Sequence, residues 1–181
     1  CKPAVRAQTD FDARYTRKNN EKHYGYKNHV KANSDTKIIT DYKVTNASVH
    51  DSVPVLELVP EQAEKDENDK KYRQPLFADS AYKSKKIDTK LQQRGFDVQI
   101  NERSYRNHPL TDEQKANNKL KSKTRSRIEH IFGAQKMRMG KEILRTIGII
   151  RAKFQIGMRN LVYNMSRLVS LKRVSKAKCK G

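Results

Sequence analysis

The sequence predicts an α/β domain whose mixed sheet is flanked by helices. Several short stretches alternate apolar and polar residues, which is the period of a half-buried strand. Other stretches repeat apolar residues at helical spacing. Their order along the chain is strand, strand, helix, strand, helix, strand and then helices, which favours an α/β fold over a bundle or a sandwich. The 181 residues suffice for one ordinary domain.

The first half of the chain predicts a linker followed by a hairpin. Residues 1–23 are polar and lack periodic apolar positions, so we expect a loop or linker there. Alternation over 24–32, turn residues at 33–35 and renewed alternation over 38–44 predict a β-hairpin. Residues 48–64 then predict a helix capped by Ser48 or Asp51.

The second half predicts two further strands and a series of helices. A short apolar strand over 76–78 ends at Asp79, and a strand over 96–100 follows a helix over 84–94 that Gly95 closes. A long helical region begins near residue 111, and a terminal helix spans roughly 151–171. We therefore expect a core domain over 24–171 and a basic tail over 172–181.

The charge of the chain predicts a polyanionic partner. There are 40 basic and 20 acidic residues, which give a formal net charge of +20. From Lys115 onward 19 residues are basic and only Glu129 and Glu142 are acidic, so this part carries +17. A nucleic-acid-binding face concentrates its positive charge in this way, because lysine and arginine displace counterions from phosphate.

Cysteine content and hydropathy exclude several classes of protein. Cys1 and Cys179 are the two cysteines, so a disulfide framework or a cysteine zinc site is not expected. No apolar run approaches the ~18 residues of a membrane span. No secretory signal is visible, which favours a cytoplasmic protein.

Two acidic residues stand out as candidates for chemistry. Asp79 directly follows an apolar strand, where functional groups of α/β sheets gather. Glu129 lies on a predicted helix beside Arg125, Arg127 and His130, and its simplest interpretation is an ion pair. A pair of carboxylates in a DNA-binding protein has a second interpretation, because phosphoryl transfer uses Mg²⁺ or Mn²⁺ held by carboxylate oxygens.

A resemblance to a known family supports the second interpretation. Arg125, Glu129 and Lys136 are separated by three and six residues, and this spacing resembles the signature of bacterial insertion-sequence transposases of the IS4 and IS5 type. Ser122 stands where that signature has tyrosine. Further blocks resemble the IS5-type proteins in the same order: DFDARY, HYGYKNHV, YKVTNASVHDS, FADSAY, RIEHIFG and NLVYN.

The resemblance implies a ribonuclease-H-like fold and a metal-dependent DDE active site. Asp79 would be the second catalytic acid and Glu129 the third, both ligating Mg²⁺ or Mn²⁺. Arg125 and Lys136 would contact the DNA backbone or position Glu129, and Arg127 is a further candidate DNA contact. The double-stranded DNA would comprise the ends of the element and the target. The resemblance also implies a homodimer in the DNA complex, and it implies DNA cleavage followed by strand transfer.

The first catalytic acid is not evident in the sequence. Asp10 and Asp12 lie near the expected place, but no apolar strand surrounds them. We therefore expect an amino-terminally truncated fragment whose sheet lacks its first strand. The activity of such a chain is open, and the main alternative is a catalytically inactive DNA-binding remnant of a transposase gene.

Two different classes of protein also stay compatible with the sequence. One is a nuclease of the same fold without strand transfer, and the second, from charge alone, is an RNA-binding protein of ribosomal type. His50 and Asp51 are more simply structural residues than a metal pair. The terminal helix carries an apolar stripe (Phe154, Met158, Leu161, Met165 and Leu168) that is expected to close the sheet or, less simply, to pack on a second copy.

Overall fold

The computed structural model describes residues 9–18, 20–63, 72–82, 84–102, 104, 109–140 and 144–178. The chain divides into two compact units, one formed by 1–50 with 130–181 and the other by 51–129. The strands are β1 (Arg14–Lys18), β2 (Glu21–Ala32), β3 (Ile39–Asn46), β4 (Gln74–Ala78) and β5 (Phe96–Ile100). The helices are α1 (Val55–Leu58), α2 (Lys85–Gln93), α3 (Asp112–Met139) and α4 (Ile149–Lys178).

The first unit contains a three-stranded antiparallel sheet in the order β1-β2-β3. The predicted hairpin is β2-β3, and Asn33 forms its turn by accepting hydrogen bonds from the main-chain N–H groups of Asp35 and Thr36, both at 2.9 Å. The prediction of a loop over 1–23 was wrong for 14–18 and 21–23, which are strands. Their alternation is hidden because both faces of this part of the sheet carry polar residues.

Helix α4 is fixed to the sheet by polar side chains. The Asn164 amide pairs with both main-chain groups of Ile39, accepting from its N–H at 2.9 Å and donating to its carbonyl at 2.8 Å. Tyr163 donates its hydroxyl to the Lys37 carbonyl at 2.9 Å. The buried Asn160 accepts a hydrogen bond from the Asn28 amide at 3.1 Å. The NLVYN block therefore holds the helix against the hairpin.

The apolar stripe of α4 does not close the sheet. Its members are between 45% and 72% exposed: Phe154, Met158, Leu161, Met165 and Leu168. The expectation that this stripe packs on the sheet was therefore wrong. Apolar spacing shows which residues share a helix face, but hydrogen bonds of the neighbouring face decided which side turns inward. The helix also continues to Lys178, so 172–178 is helical and not a separate tail.

The second unit is built on the parallel pair β4-β5, whose register aligns Ala78 with Ile100. Its core packs Val55, Val59, Ile87, Leu91 and Phe96 together. Gly95 has a φ of 89°, which lets the chain reverse from α2 into β5, as the sequence predicted.

Two predictions for this part of the chain need correction. The helix expected over 48–64 is limited to Val55–Leu58, with Pro54 and not Ser48 or Asp51 at its amino-terminal cap. Residue 64 lies outside the described residues. The described strands form two separate sheets and not one mixed sheet, so the α/β class is confirmed while the single sheet is not. No helix among the described residues is long and apolar enough to cross a membrane.

Asp10 holds the start of α4 in the first unit. Its carboxylate accepts hydrogen bonds from the Tyr26 hydroxyl at 2.9 Å and from the main-chain N–H of Gly148 at 3.1 Å. The N–H groups of Asp12 and Ala13 donate to it as well, at 3.0 and 3.2 Å. Burial by itself raises the pKa of Asp10, but these four donors together outweigh it and lower the pKa below its usual value.

We expect Asp10→Asn to lower the free energy of unfolding by about 1–3 kcal/mol at pH 7, because the donors lose an ionised acceptor. The folded-state pKa is lowered, so this stabilisation is present above the unfolded-state value near 3.9 and disappears as pH falls through the folded-state value. Urea unfolding of the natural chain and of Asp10→Asn at pH 7 and pH 3 measures the loss of stability and its dependence on pH. Glu21→Gln is the control, because the Glu21 side chain is 79% exposed. If Asp10→Asn lowers the free energy of unfolding no more than Glu21→Gln does, Asp10 does not hold the start of α4.

Candidate functional site

Asp79 is placed by the end of strand β4. The strand ends at Ala78, and Asp79 leads into a 3-10 turn over Ser80–Tyr82 in which its carbonyl accepts the Tyr82 N–H at 2.9 Å. Because β4 and β5 are parallel, their carboxyl ends lie at the same edge of the pair. Residues that follow either strand therefore meet there, as expected for α/β proteins.

Helix α3 is fixed to the same edge by hydrogen bonds from its polar face. The Asn118 amide accepts from the Glu102 N–H at 2.8 Å and donates to the Glu102 carbonyl at 3.0 Å. One turn further, the Asn101 amide donates to the Ser122 hydroxyl at 3.0 Å. These bonds set the rotation of α3 about its axis and so decide which of its residues face Asp79.

Arg125 joins the two acids that the sequence singled out. It lies close to one turn beyond Ser122, and its Nη1 is 3.1 Å from Asp79 Oδ2. Its Nη2 is 3.6 Å from Glu129 Oε1. One guanidinium therefore bridges a carboxylate from the β4 end and a carboxylate from α3. The simpler interpretation of Glu129, an ion pair with one of its basic neighbours, is thus present with Arg125 as the partner, and Asp79 shares that partner.

The three side chains differ in their exposure to solvent. Arg125 is 29% exposed, Asp79 is 46% exposed and Glu129 is 68% exposed. The Nε of Arg125 is buried and has no hydrogen-bond partner among the residues that the structure describes. The cation thus lies deeper than the two anions, both of which are partly exposed to solvent. A solvent-borne cation or phosphate can reach this site directly.

Asp51 and Tyr82 lie close to this acidic edge. Burial raises the pKa of Tyr82 to about 12, and the negative charges of Asp51 and Asp79 add to that effect. Tyr82 therefore stays protonated at neutral pH. The sequence favoured Asp51 as a helix cap over a metal pair with His50, but Pro54 occupies the cap position.

Arg127 and Lys136, the other two basic residues that the sequence singled out on α3, take no part in the Arg125 ion pairs. Arg127 lies on α3 about 200° around the helix axis from Arg125 and is partly buried. Lys136 is exposed on α3 and belongs to the first unit. Their proposed contacts with DNA stay predictions.

The carboxylates of Asp79 and Glu129 are suitable ligands for a hard divalent cation, but they are only two. Within the described ranges, no group of three or more His, Cys, Asp or Glu side chains could hold a metal ion. Mg²⁺ is often held by one or two carboxylates together with water and substrate phosphate, which the partly exposed Asp79 and Glu129 can provide. Asp10 and Asp12 accept main-chain N–H groups at the start of α4, at Gly148 and Ile149 respectively.

Sequence reasoning missed the residues that support the site. Asn101 and Asn118 carry no signal beyond being polar residues after a strand and on a helix. Ser122 carried one indirect signal, since it occupies the position of the signature's tyrosine and its hydroxyl is used to fix the helix. The pairing of Asn118 with Glu102 depends on a contact between residues sixteen positions apart, which no local pattern reports.

Comparison with known proteins identifies the class of protein that has these features. Residues 4–165 match the family model of the transposase DDE domain, and the chain belongs to that family. It is 26% identical over 159 residues to the transposase for insertion sequence element IS1106 of Neisseria meningitidis serogroup B, covering 86% of this chain. The chain spans about half (51%) of the length of that relative. No solved structure matches the chain.

These matches confirm the resemblance to insertion-sequence DDE transposases. The narrower assignment to the IS4 and IS5 type rests on the signature and the ordered blocks alone. The roles of individual residues likewise rest on the sequence signature and on the geometry around Arg125.

We expect Asn118→Ala to destabilise the chain by about 1–3 kcal/mol, because both main-chain groups of Glu102 lose their partner. Asn117→Ala is a matched control: the residue is the same, it lies on the same helix, and its side chain is exposed. Urea unfolding of the two variants separates the lost contact from the shared gain in helix propensity. Equal effects would mean that the Asn118 pairing does not fix α3.

Proposed function

We propose that this chain is the catalytic core of an insertion-sequence transposase of the IS4 and IS5 type with a ribonuclease-H-like fold. The proposed reactions are hydrolysis of a phosphodiester bond at the element's end and attack of the freed 3′-hydroxyl on target DNA. The observation that carries the proposal is the meeting of Asp79 and Glu129 on one guanidinium. Two acids far apart in sequence are thereby gathered at one strand end.

Asp79 and Glu129 would hold Mg²⁺ or Mn²⁺. The bound metal would supply Lewis-acid activation of the attacking oxygen and stabilisation of the leaving one. A third carboxylate of the DDE set is not assigned, since Asp10 and Asp12 serve the start of α4. That the first acid lies outside this chain stays a prediction from the resemblance.

The basic residues of α3 and α4 would bind the DNA backbone. In α4 eight residues are basic and none is acidic. In α3, Arg125 and Lys136 are the basic residues of the signature, and Arg127 is a further candidate for contact with DNA. Each of these helices would attract duplex DNA through its phosphates and release counterions, so binding should weaken steeply with salt.

A second candidate function is a catalytically inactive DNA-binding remnant. It is favoured by the lack, among described residues, of a cluster of three metal-binding side chains. In that case Arg125 would be a permanent ion-pair partner and DNA binding would persist without cleavage. The two candidates differ in whether the acid pair has a function.

The test is metal-dependent nicking of supercoiled plasmid by the full chain in Mg²⁺ or Mn²⁺. We expect Asp79→Asn and Glu129→Gln each to reduce the rate of nicking by more than about 100-fold, because a bound metal ion lowers the activation free energy by several kcal/mol. DNA binding should persist in both variants, since each removes a negative charge.

Glu113→Gln is the control for that experiment, because it removes an exposed carboxylate from the first turn of α3. The inactive remnant would be favoured if neither substitution changed the rate of nicking. It would also be favoured if every protein bound DNA in a salt-sensitive way and none nicked it.

We also propose that two copies assemble on DNA through the exposed apolar stripe of α4. The stripe borders two open hollows of about 520 and 400 Å³, and burying it would remove large apolar side chains from water. Two such helices carry only positive charge and would repel one another in the free protein. DNA phosphates would neutralise that charge, so the proposed dimer depends on DNA.

Mass photometry should therefore show single copies without DNA and two copies per duplex with it. Phe154→Lys places a charge on the stripe at a site that is 72% exposed, and we expect it to abolish the two-copy complex while single-copy binding remains. Val174→Lys is the control, since Val174 is 56% exposed on the opposite side of the helix. A two-copy complex that survives Phe154→Lys would exclude the stripe as the interface.

A further inference from the structure

Arg125 occupies the space between the two acids that a metal ion would need. We propose that its guanidinium is a built-in cation of the acid pair, which a divalent metal must displace before the site can act. The inference rests on the proposed function, because it assigns a positioning role to a residue of the same site. It goes further by making ion pairing and metal binding mutually exclusive.

The geometry around Arg125 indicates that the ion pairs and a bound metal ion exclude one another. The two guanidinium nitrogens lie 3.1 Å from Asp79 Oδ2 and 3.6 Å from Glu129 Oε1, so the same planar group contacts both carboxylates. Mg²⁺ needs oxygen ligands at roughly 2.0–2.1 Å and a full octahedral shell. A metal ion that takes these two oxygens as ligands would therefore compete with the guanidinium for them.

Charge leads to the same conclusion. A divalent ion held by the acids would face the positive guanidinium at a few ångströms, and the partly buried Arg125 is only weakly screened there. The repulsion is relieved when the guanidinium moves away from the carboxylates. Their exposure to solvent gives the incoming ion access without a larger rearrangement.

The displaced guanidinium retains a use in the proposed reaction. Within the described part of the chain, its Nε has no partner in the ion-paired arrangement, so a buried donor is left unsatisfied there. A phosphate oxygen near the metal would satisfy it and would match the planar donor fork of arginine. Metal and DNA would thus replace, together, the contacts that Arg125 makes without them.

The first test measures Mn²⁺ affinity of the full chain by the electron paramagnetic resonance signal of free Mn²⁺, without DNA. We expect Arg125→Gln to bind Mn²⁺ at least about threefold more tightly than the natural chain, because each partly exposed ion pair contributes up to roughly a fivefold change in an equilibrium constant. Arg125→Lys should fall between them, since a point charge bridges two carboxylates less well.

Lys123→Gln is the matched control. It removes one positive charge from the same helix at an exposed site on another side, so it measures the general effect of charge on Mn²⁺ affinity. Affinity that is equal or weaker in Arg125→Gln than in the natural chain would overturn the inference while leaving the metal site intact. If neither protein binds Mn²⁺, the metal site of the proposed function fails, and the inference fails with it.

A second measurement needs no substitution. The ¹⁵N–¹H resonance of the Arg125 side-chain Nε should shift as Mg²⁺ is added to the natural chain, because the guanidinium leaves the two carboxylates. A resonance that stays unchanged at Mg²⁺ saturation would show that Arg125 and the metal coexist, and the inference would be wrong.

Discussion

In each unit an asparagine amide pairs with both main-chain groups of a single residue at a strand end. Asn164 of α4 pairs with Ile39 at the start of β3, and Asn118 of α3 pairs with Glu102 just after β5. A side-chain amide has the same donor and acceptor as a peptide group, so it can replace the strand neighbour that these groups lack. The pairing fixes the rotation of each long helix, and the placement of its other side chains depends on that rotation.

The acid site follows from this constraint in the second unit. With Asn118 and Ser122 held at the β5 end, Arg125 is the next α3 residue on that face and meets Asp79. Glu129, a further turn along, then comes within reach of the same guanidinium. An arginine between two acids can be a permanent ion pair or a cation that yields to metal and phosphate. The partial exposure of both carboxylates, and the lack of a partner for Nε among the described residues, favour exchange of the guanidinium for a metal ion.

The same constraint leaves an apolar surface on α4. Because Asn160, Tyr163 and Asn164 face the hairpin, the stripe from Phe154 to Leu168 faces water. A helix that is basic throughout and apolar on its free side suits a protein that assembles on a polyanion. DNA would then neutralise the charge that separates two copies and allow the apolar faces to meet.

The sequence by itself determined the α/β class, the β2-β3 hairpin, strand β5 and the identity of Asp79, Arg125 and Glu129 as a group. Alternation, turn residues and motif spacing are local features, so they can be recognised from the sequence alone. Only the tertiary structure decided that the strands form two sheets, that 14–18 is a strand and that the α4 stripe is exposed. It also decided that one guanidinium bridges both acids. These features depend on hydrogen bonds and ion pairs between distant residues, whose partners no local pattern specifies.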